Sequence, residues 1–510
     1  MAGSLLAGIP AAALLLWHSA YWHAGADLST LPAPRRYWED LAVAATRYLD
    51  GDGEAERVSI NSADGAELRL GFQRFLTRSA AEQGAPPWRF WRTIQVRPLL
   101  KGRRLMPRDI DDPGRAGLLT AGFRLLRGVS PFLPLWVGAL VAAPVLAWTG
   151  WELARAGRTA AGLAFTLLLA CSPYVIDSLS LPYSAVGFYV IALVAIVPLA
   201  TYAVSAEVRD AGLAARALAA GLVFALCVLC RSGSLFLLPG YVLALAAGAG
   251  RLGARRAAAG TLASRVVPAA VLLAIFITPY ALVRPPRHHE VWLGLWEGLG
   301  DFDRTKGHAW DDSVAREVLR RAGMGPPERY PVWENAPENE ALFRRLVLTD
   351  VRSDPAWYAG ILARRLWATL TQAKLRPWAP RDGVSIATRR SPSEGAIDTY
   401  YAMATPADRV GLGPWRCELP LIVLWGPMLL LILLYVRSWS IGPFRPLATR
   451  RGPALLVLAC VALGALGLPV LFTTASGLET EAFVVVYFLG FAFLLDEGLR
   501  YRRAAGLPAG

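Results

Sequence analysis

The densest run of side chains able to do chemistry is Gly300–Asp312, GDFDRTKGHAWDD. It sets four carboxylates, a histidine, an arginine and a lysine within thirteen residues. Asp301 and Asp303 form a DxD pair. On an extended segment, two carboxylates two residues apart point the same way and can share a divalent cation. Mg or Mn is therefore a candidate cofactor, with Asp301, Asp303 and Glu290 as candidate ligands and His308 beside them. The same residues also suit a hydrogen-bonded loop core. Asp311 and Asp312 suit a helix cap, since an apolar-periodic run follows them and ends at Gly323.

Other carboxylates and cations stand further off. Asp27 is the first acid beyond the first apolar segment, where a general base would meet a lipid headgroup; a solvated loop residue or cap is the plainer reading. Asp111 and Asp112, in Asp109–Gly114, suit substrate hydroxyls or a metal, and equally a turn leading into a helix. Arg231 lies in a tight hairpin between two apolar segments. Charges so close to an apolar core tend to be functional, and the forked guanidinium suits a lipid phosphate. It also suits simple snorkelling. Asp177 is a candidate partner. Glu479 and Glu481 are the acids of a short loop between the last two apolar segments and face the same vestibule. Cys227 and Cys230 have CxxC spacing, but within a helical pattern and without a second pair, so they read as small hydrophobes. There is no Walker loop, GxSxG or HExxH.

The elements that must position these groups are membrane helices. The chain is 55% hydrophobic and only 18% charged over 510 residues, below the charge share of soluble domains. Apolar segments long enough to cross a hydrocarbon core of ~30 Å fall at roughly 3–22, 131–149, 160–177, 183–205, 215–231, 233–250, 266–283, 418–436, 454–472 and 482–495. The expected fold is an all-α polytopic membrane protein of about ten spans. Two long polar segments, 23–130 and 284–417, separate span 1, spans 2–7 (131–283) and spans 8–10 (418–495), and 496–510 is a tail. The short loops 150–159, 206–216, 251–265, 437–451 and 496–510 hold fifteen arginines, whereas the alternate short loops hold one. By the positive-inside rule both termini are cytoplasmic and both long segments lie on the outer face of a bacterial inner membrane. The formal charge of +14 is explained by this sorting, so no nucleic-acid partner is expected. Ala24–Ala26 resembles a signal-peptidase site. Without a basic leader, and with aromatic residues from Trp17 to Trp22, the segment reads as a retained span.

The long segments carry helical patterns. Tyr37, Trp38, Leu41, Ala45, Tyr48 and Leu49 share one face; a second helix is expected from Gly114 to Arg127. Asp354-Pro355 opens a further one as cap and first-turn proline, and its Trp357, Ile361, Arg364, Arg365 and Trp367 suit a membrane surface. Residues 376–416 read as loop.

This order of parts resembles the GT-C class of membrane glycosyltransferases, such as protein O-mannosyltransferases and lipid A aminoarabinose transferases. Three stretches are similar to bacterial members: Asp112–Leu126, Arg231–Pro239, and the block from Arg287-His-His-Glu290 through Trp310-Asp-Asp312 to Asn339–Arg345. The resemblance implies an inverting enzyme that takes a sugar from a polyprenyl-phosphate carrier at the outer face. An acid of the first outer segment would act as base, Asp27 by position, with Asp111 and Asp112 as second choices. Arg231 would hold the carrier phosphate. Asp301, Asp303, His308 and Glu479 would line the substrate site, with or without a metal. Many members carry an acid followed by Arg-Tyr near the last span; here Glu479-Thr-Glu481-Ala-Phe483 lacks the arginine. A secondary transporter and a non-catalytic envelope-assembly subunit are the alternatives, the first disfavoured by span centres nearly free of charge.

Overall fold

The computed structural model describes residues 8–24, 113–130, 133–180, 186–256, 263–283, 291–301, 305–309, 312–324, 337–371, 407–412, 415–420, 452–472 and 482–504, with helical residues 41, 43–45, 47, 48, 426, 429, 430 and 433. Its helices are α1 (Ile9–Ala24), α2 (Pro113–Leu126), α3 (Leu133–Arg155), α4 (Thr159–Cys171), α5 (Pro173–Ser180), α6 (Val186–Ala203), α7 (Asp210–Cys230), a 3₁₀ turn (Ser232–Leu237), α8 (Leu238–Arg256), α9 (Ala263–Val283), α10 (Val291–Gly298), α11 (Asp312–Arg321), α12 (Pro337–Ser353), α13 (Pro355–Thr371), α14 (Gly452–Leu471) and α15 (Val484–Ala504).

Six helices among the described residues are long and apolar enough to cross a membrane: 133–155, 186–203, 210–230, 232–253, 266–283 and 452–471; two shorter apolar ones cover 9–19 and 159–171. The architecture is that of a helical membrane protein. α6 is its axis. Every residue of α6 is buried, enclosed by α3, α7, α8 and α14. Lipid gives apolar helices no hydrophobic reason to associate, so close approach and dispersion must hold them together. Small residues permit this. A Cβ on Gly221 of α7 would strike the Phe276 carbonyl of α9, and one on Gly467 of α14 would strike the Phe236 carbonyl. The Tyr241 hydroxyl of α8, inside this core, donates to the Ala192 carbonyl at 2.5 Å.

The antiparallel alternation gives the bundle two chemically distinct ends. At one, the ends of α3, α6 and α15 and the start of α7 bring Arg155, Arg158, Arg209, Arg216 and Arg500 together with Glu152, Glu207, Asp496 and Glu497. At the other lie the α7–α8 hairpin with Arg231, the start of α2, and the helices α10–α13.

Three expectations change. The apolar segment 160–177 is two helices, because Pro173 has no amide to offer Leu169. α4 ends there, and the Ser172 hydroxyl instead meets the Val175 amide at 3.5 Å as the cap of α5. Within 376–416, read as loop, residues 407–412 form a strand that pairs antiparallel with 415–420, so the described residues include a β-hairpin beside the helices. Arg365, read as a membrane-surface residue, is 1% exposed and bonded inward.

Other expectations hold. Helical residues 41 and 45 are buried and Tyr48 meets Phe123 of α2 edge-on at 6.4 Å, but Val43 and Ala44 are buried too, so burial here is not confined to the expected face. α2 covers 113–126 as expected. In the 291–371 region, Leu293, Trp296, Leu319, Phe343, Val347 and Ile361 form a separate apolar core. α11 stops at Gly323 (φ +73°), where Met324 N–H bonds to Leu319 O and Gly323 N–H to Arg320 O, both at 3.0 Å; that double closure needs a left-handed residue. Asp354 caps α13 through the Trp357 amide at 3.0 Å.

Candidate functional site

Arg231 ends α7. Its amide bonds to Cys227 O at 2.8 Å, its backbone turns extended, and its carbonyl accepts the Ser234 amide at 2.9 Å to begin the 3₁₀ turn. The side chain is half-buried and passes beside Gly233. A Cβ there would lie 3.7 Å from Arg231 Nε and 3.4 Å from Leu468 Cδ1. Arg231 Nε and Leu468 of α14 thus both lie beside Gly233.

Two other elements reach the same turn or its neighbour. α2 begins with Pro113, and Gly114 packs so tightly that a Cβ would sit 2.7 Å from the Leu229 carbonyl carbon. The start of α2 is thus one residue from Arg231's own backbone. At the end of α14, Arg365 donates to Val470 O at 3.2 Å, and Phe472 packs on Phe236 of the 3₁₀ turn with ring centroids 5.1 Å apart. Gly294 of α10 leaves room for the Phe472 ring. One turn of α14, residues 468–472, therefore joins the Arg231 hairpin to the α10–α13 domain.

Asp301 is fully buried and accepts Arg365 Nε at 3.0 Å, while Arg365 Nη2 donates to Gly298 O at 2.5 Å. A buried guanidinium against this carboxylate opposes a divalent cation there, since like charges would share the ligand. Among the described residues no three His, Cys, Asp or Glu side chains are grouped to hold a metal. Asp303 and Glu290 lie outside the described residues.

His308 is drawn elsewhere. Its Nε2 meets Asp350 Oδ2 at 3.0 Å, and its ring stands between Trp296 (5.1 Å, edge-on) and Trp357 (5.8 Å, stacked). Lys306 sits over the same Trp357 at 4.2 Å and pairs with Asp354 at 3.4 Å. Burial pushes the His308 pKa below its ordinary value, with Asp350 pulling it back in part. The two chemical residues of the opening stretch, Asp301 and His308, thus serve different partners.

Two further groups had no isolated signal in the sequence. Glu340 of α12 accepts the Trp292 and Leu293 amides at 2.8 and 2.9 Å, capping α10 from another helix; burial raises its pKa and these amides oppose the rise. Arg115 of α2 is buried and reaches Pro134 O at 3.4 Å. Asp27, Asp111, Asp112 and Glu479 lie outside the described residues, as does the side chain of Asp177. Cys227 and Cys230 are buried in the apolar core, as expected. No protein-family model and no curated protein matches this chain.

Proposed function

We propose that the protein is a membrane glycosyltransferase of the GT-C type, moving a sugar from a polyprenyl-phosphate carrier to a lipid, glycan or protein acceptor. In this reading about ten spans cross a bacterial inner membrane, the arginine-rich end and both termini are cytoplasmic, and the Arg231 end is the outer one. One observation carries it. The Arg231 hairpin and the α10–α13 domain both meet residues 468–472 of α14, and the start of α2 packs on the end of α7 just before Arg231. These contacts are at the end opposite the arginine cluster.

The transfer needs no nucleotide. The carrier phosphate leaves, so a cation must stabilise its growing charge, and a carboxylate must take the acceptor proton. Arg231 is proposed for the phosphate. Asp27 is proposed as base, with Asp111 and Asp112 as alternatives because they precede α2. Asp303 and Glu479 remain candidates for the sugar side. Asp301 takes a different role here: with Arg365 it positions α10 against α14, and His308 with Asp350 steadies the loop between them.

The test is sugar transfer from a labelled polyprenyl-phosphate sugar in membranes carrying the full chain. Replacing Arg231 by Ala is expected to lower turnover by about 10²–10³-fold, the usual effect of losing one donor to developing charge. Asp27→Asn is expected to stop transfer. Normal transfer by both variants would remove the proposal, and carrier-independent uptake of a solute across vesicles would favour a transporter instead.

A further inference from the structure

A cavity of about 320 Å³ opens at the arginine-rich end, between the ends of α3 and α6, the start of α14 and the last turns of α15. It is far from the site described above, at the opposite ends of the same helices. Three guanidinium side chains line it, Arg155, Arg158 and Arg500, against one carboxylate, Glu207.

The cations are fixed in place. Arg158 Nη1 holds Asp496 and Glu497 at 3.1 and 3.0 Å, and Arg500 Nε holds Asp496 at 2.8 Å. Arg155 Nε holds the buried Glu152 at 3.2 Å, and Arg216 Nε holds it at 2.5 Å. Tyr202 packs under both, 4.8 Å from the Arg155 guanidinium and 3.8 Å from that of Arg216. The loosest pair faces the opening: Arg155 to Glu207, 3.6 Å, with the Glu207 side chain 73% exposed. Such an exposed pair is worth little, and a better anion can displace it.

Two hydroxyls add an independent sign. Thr201, 4% exposed, and Ser205 both line the cavity, and neither hydroxyl has a hydrogen-bond partner among the described residues. Buried polar groups left unpaired cost stability, and each such case asks for a partner. A hydroxyl beside arginines can donate to an acceptor-rich anion. The rest of the wall is apolar, with Leu153, Val457 and Phe493. The cavity therefore combines cations, hydroxyls and an apolar wall, at the ends of α3 and α6.

We propose that this cavity binds a phosphate group. A bidentate Arg155 contact would replace Glu207, and Thr201 and Ser205 would supply hydroxyl donors. Two sources share that chemistry: the headgroup of an anionic phospholipid, whose chains would follow the apolar wall, and a soluble phosphomonoester.

The test uses purified full-length protein in phosphatidylcholine nanodiscs and reads the unfolding temperature and the Kd. One arm titrates phosphatidylglycerol into the nanodisc; the other titrates glycerol 1-phosphate in water. Stabilisation in the first arm alone supports a lipid phosphate, and stabilisation in the second supports a soluble one. Thr201→Val, nearly isosteric, is expected to weaken binding by several-fold, and Arg155→Gln by about tenfold. Arg155→Gln also leaves Glu152 with one cation fewer, so Glu207→Gln is the decisive partner variant. It removes the competitor and is expected to tighten binding by about threefold. No stabilisation in either arm, or a Glu207→Gln variant that binds more weakly, overturns the proposal.

Discussion

Asp301 and Arg365 form an ion pair whose two side chains are almost wholly buried. Removing one member leaves the other charged and buried, which costs about 3–5 kcal/mol, whereas replacing both by apolar groups is often nearly neutral. Asp301→Asn alone is expected to lower the unfolding temperature in detergent sharply. Asp301→Leu with Arg365→Met is expected to recover most of the loss. Recovery of both stability and transfer would assign the pair to positioning; a chemical role for Asp301 predicts restored stability without restored transfer. His308 gives a pH prediction. Its neutral form is favoured by burial between Trp296 and Trp357 against the pull of Asp350, with Lys306 opposing a proton. The unfolded chain then binds more protons than the folded one below the ordinary histidine pKa, so stability falls as pH drops from about 7 through that range. Unfolding measured from pH 7.5 to 5 is expected to fall less steeply in His308→Gln. The sequence marked Asp301 and His308 as chemically notable but hid their partners. Arg365 and Asp350 are 64 and 42 positions away, and one-dimensional spacing holds no trace of such pairings.

At the scale of elements, what was legible was local. The glycine stop of α11 and the Asp354-Pro355 start of α13 are set by bonds within six residues, and their signals are written side by side in the chain. The break at Ser172-Pro173 was also local, but the apolar run continues across it and masks the helix end. The capping of α10 was not legible at all, since its acid comes from α12. Glu340→Ala strips two amides of their acceptor and is expected to cost about 1–2 kcal/mol. Hydrogen exchange should show faster exchange at the Trp292 and Leu293 amides, with α13 unaffected. Unchanged protection at both amides would mean that α10 is held by its apolar face alone.

For the whole molecule, hydropathy and the distribution of arginine carried most of the information. Both follow from bulk solvent properties rather than from particular contacts. Of the arginines that sorted by loop, Arg155, Arg158, Arg216 and Arg500 assemble at one end of the bundle, tied by Glu152 and Asp496. What sequence could not supply was the assignment of α6 to the centre, because a wholly buried helix and a lipid-facing one have the same composition. Sidedness is open to direct measurement. With native cysteines replaced, Arg320→Cys is expected to react with an impermeant maleimide in intact spheroplasts, and Glu207→Cys only after lysis; both positions are exposed. The reverse pattern would invert the proposed topology and move the Arg231 site to the cytoplasm.

The enclosure of α6 also imposes an order on biogenesis. Its wall formed by α14 is translated only after residue 452. At ~5–20 residues per second the interval since α6 is roughly tens of seconds. During that time α6 and α8 must present to lipid the faces they later give to α14, and the absence of charge from α6, and from α8 before Arg251, makes this tolerable. The α10–α13 domain meets the same wait. Arg365 is made before Val470, so until α14 arrives its guanidinium has only Gly298 and Asp301 of its three inward partners. Asp301 is thus the counter-ion of an unfinished protein as well as of the finished one. A chain halted short of α14 would hold its arginine in place but leave the axis of the bundle open, a ready substrate for membrane quality-control proteolysis.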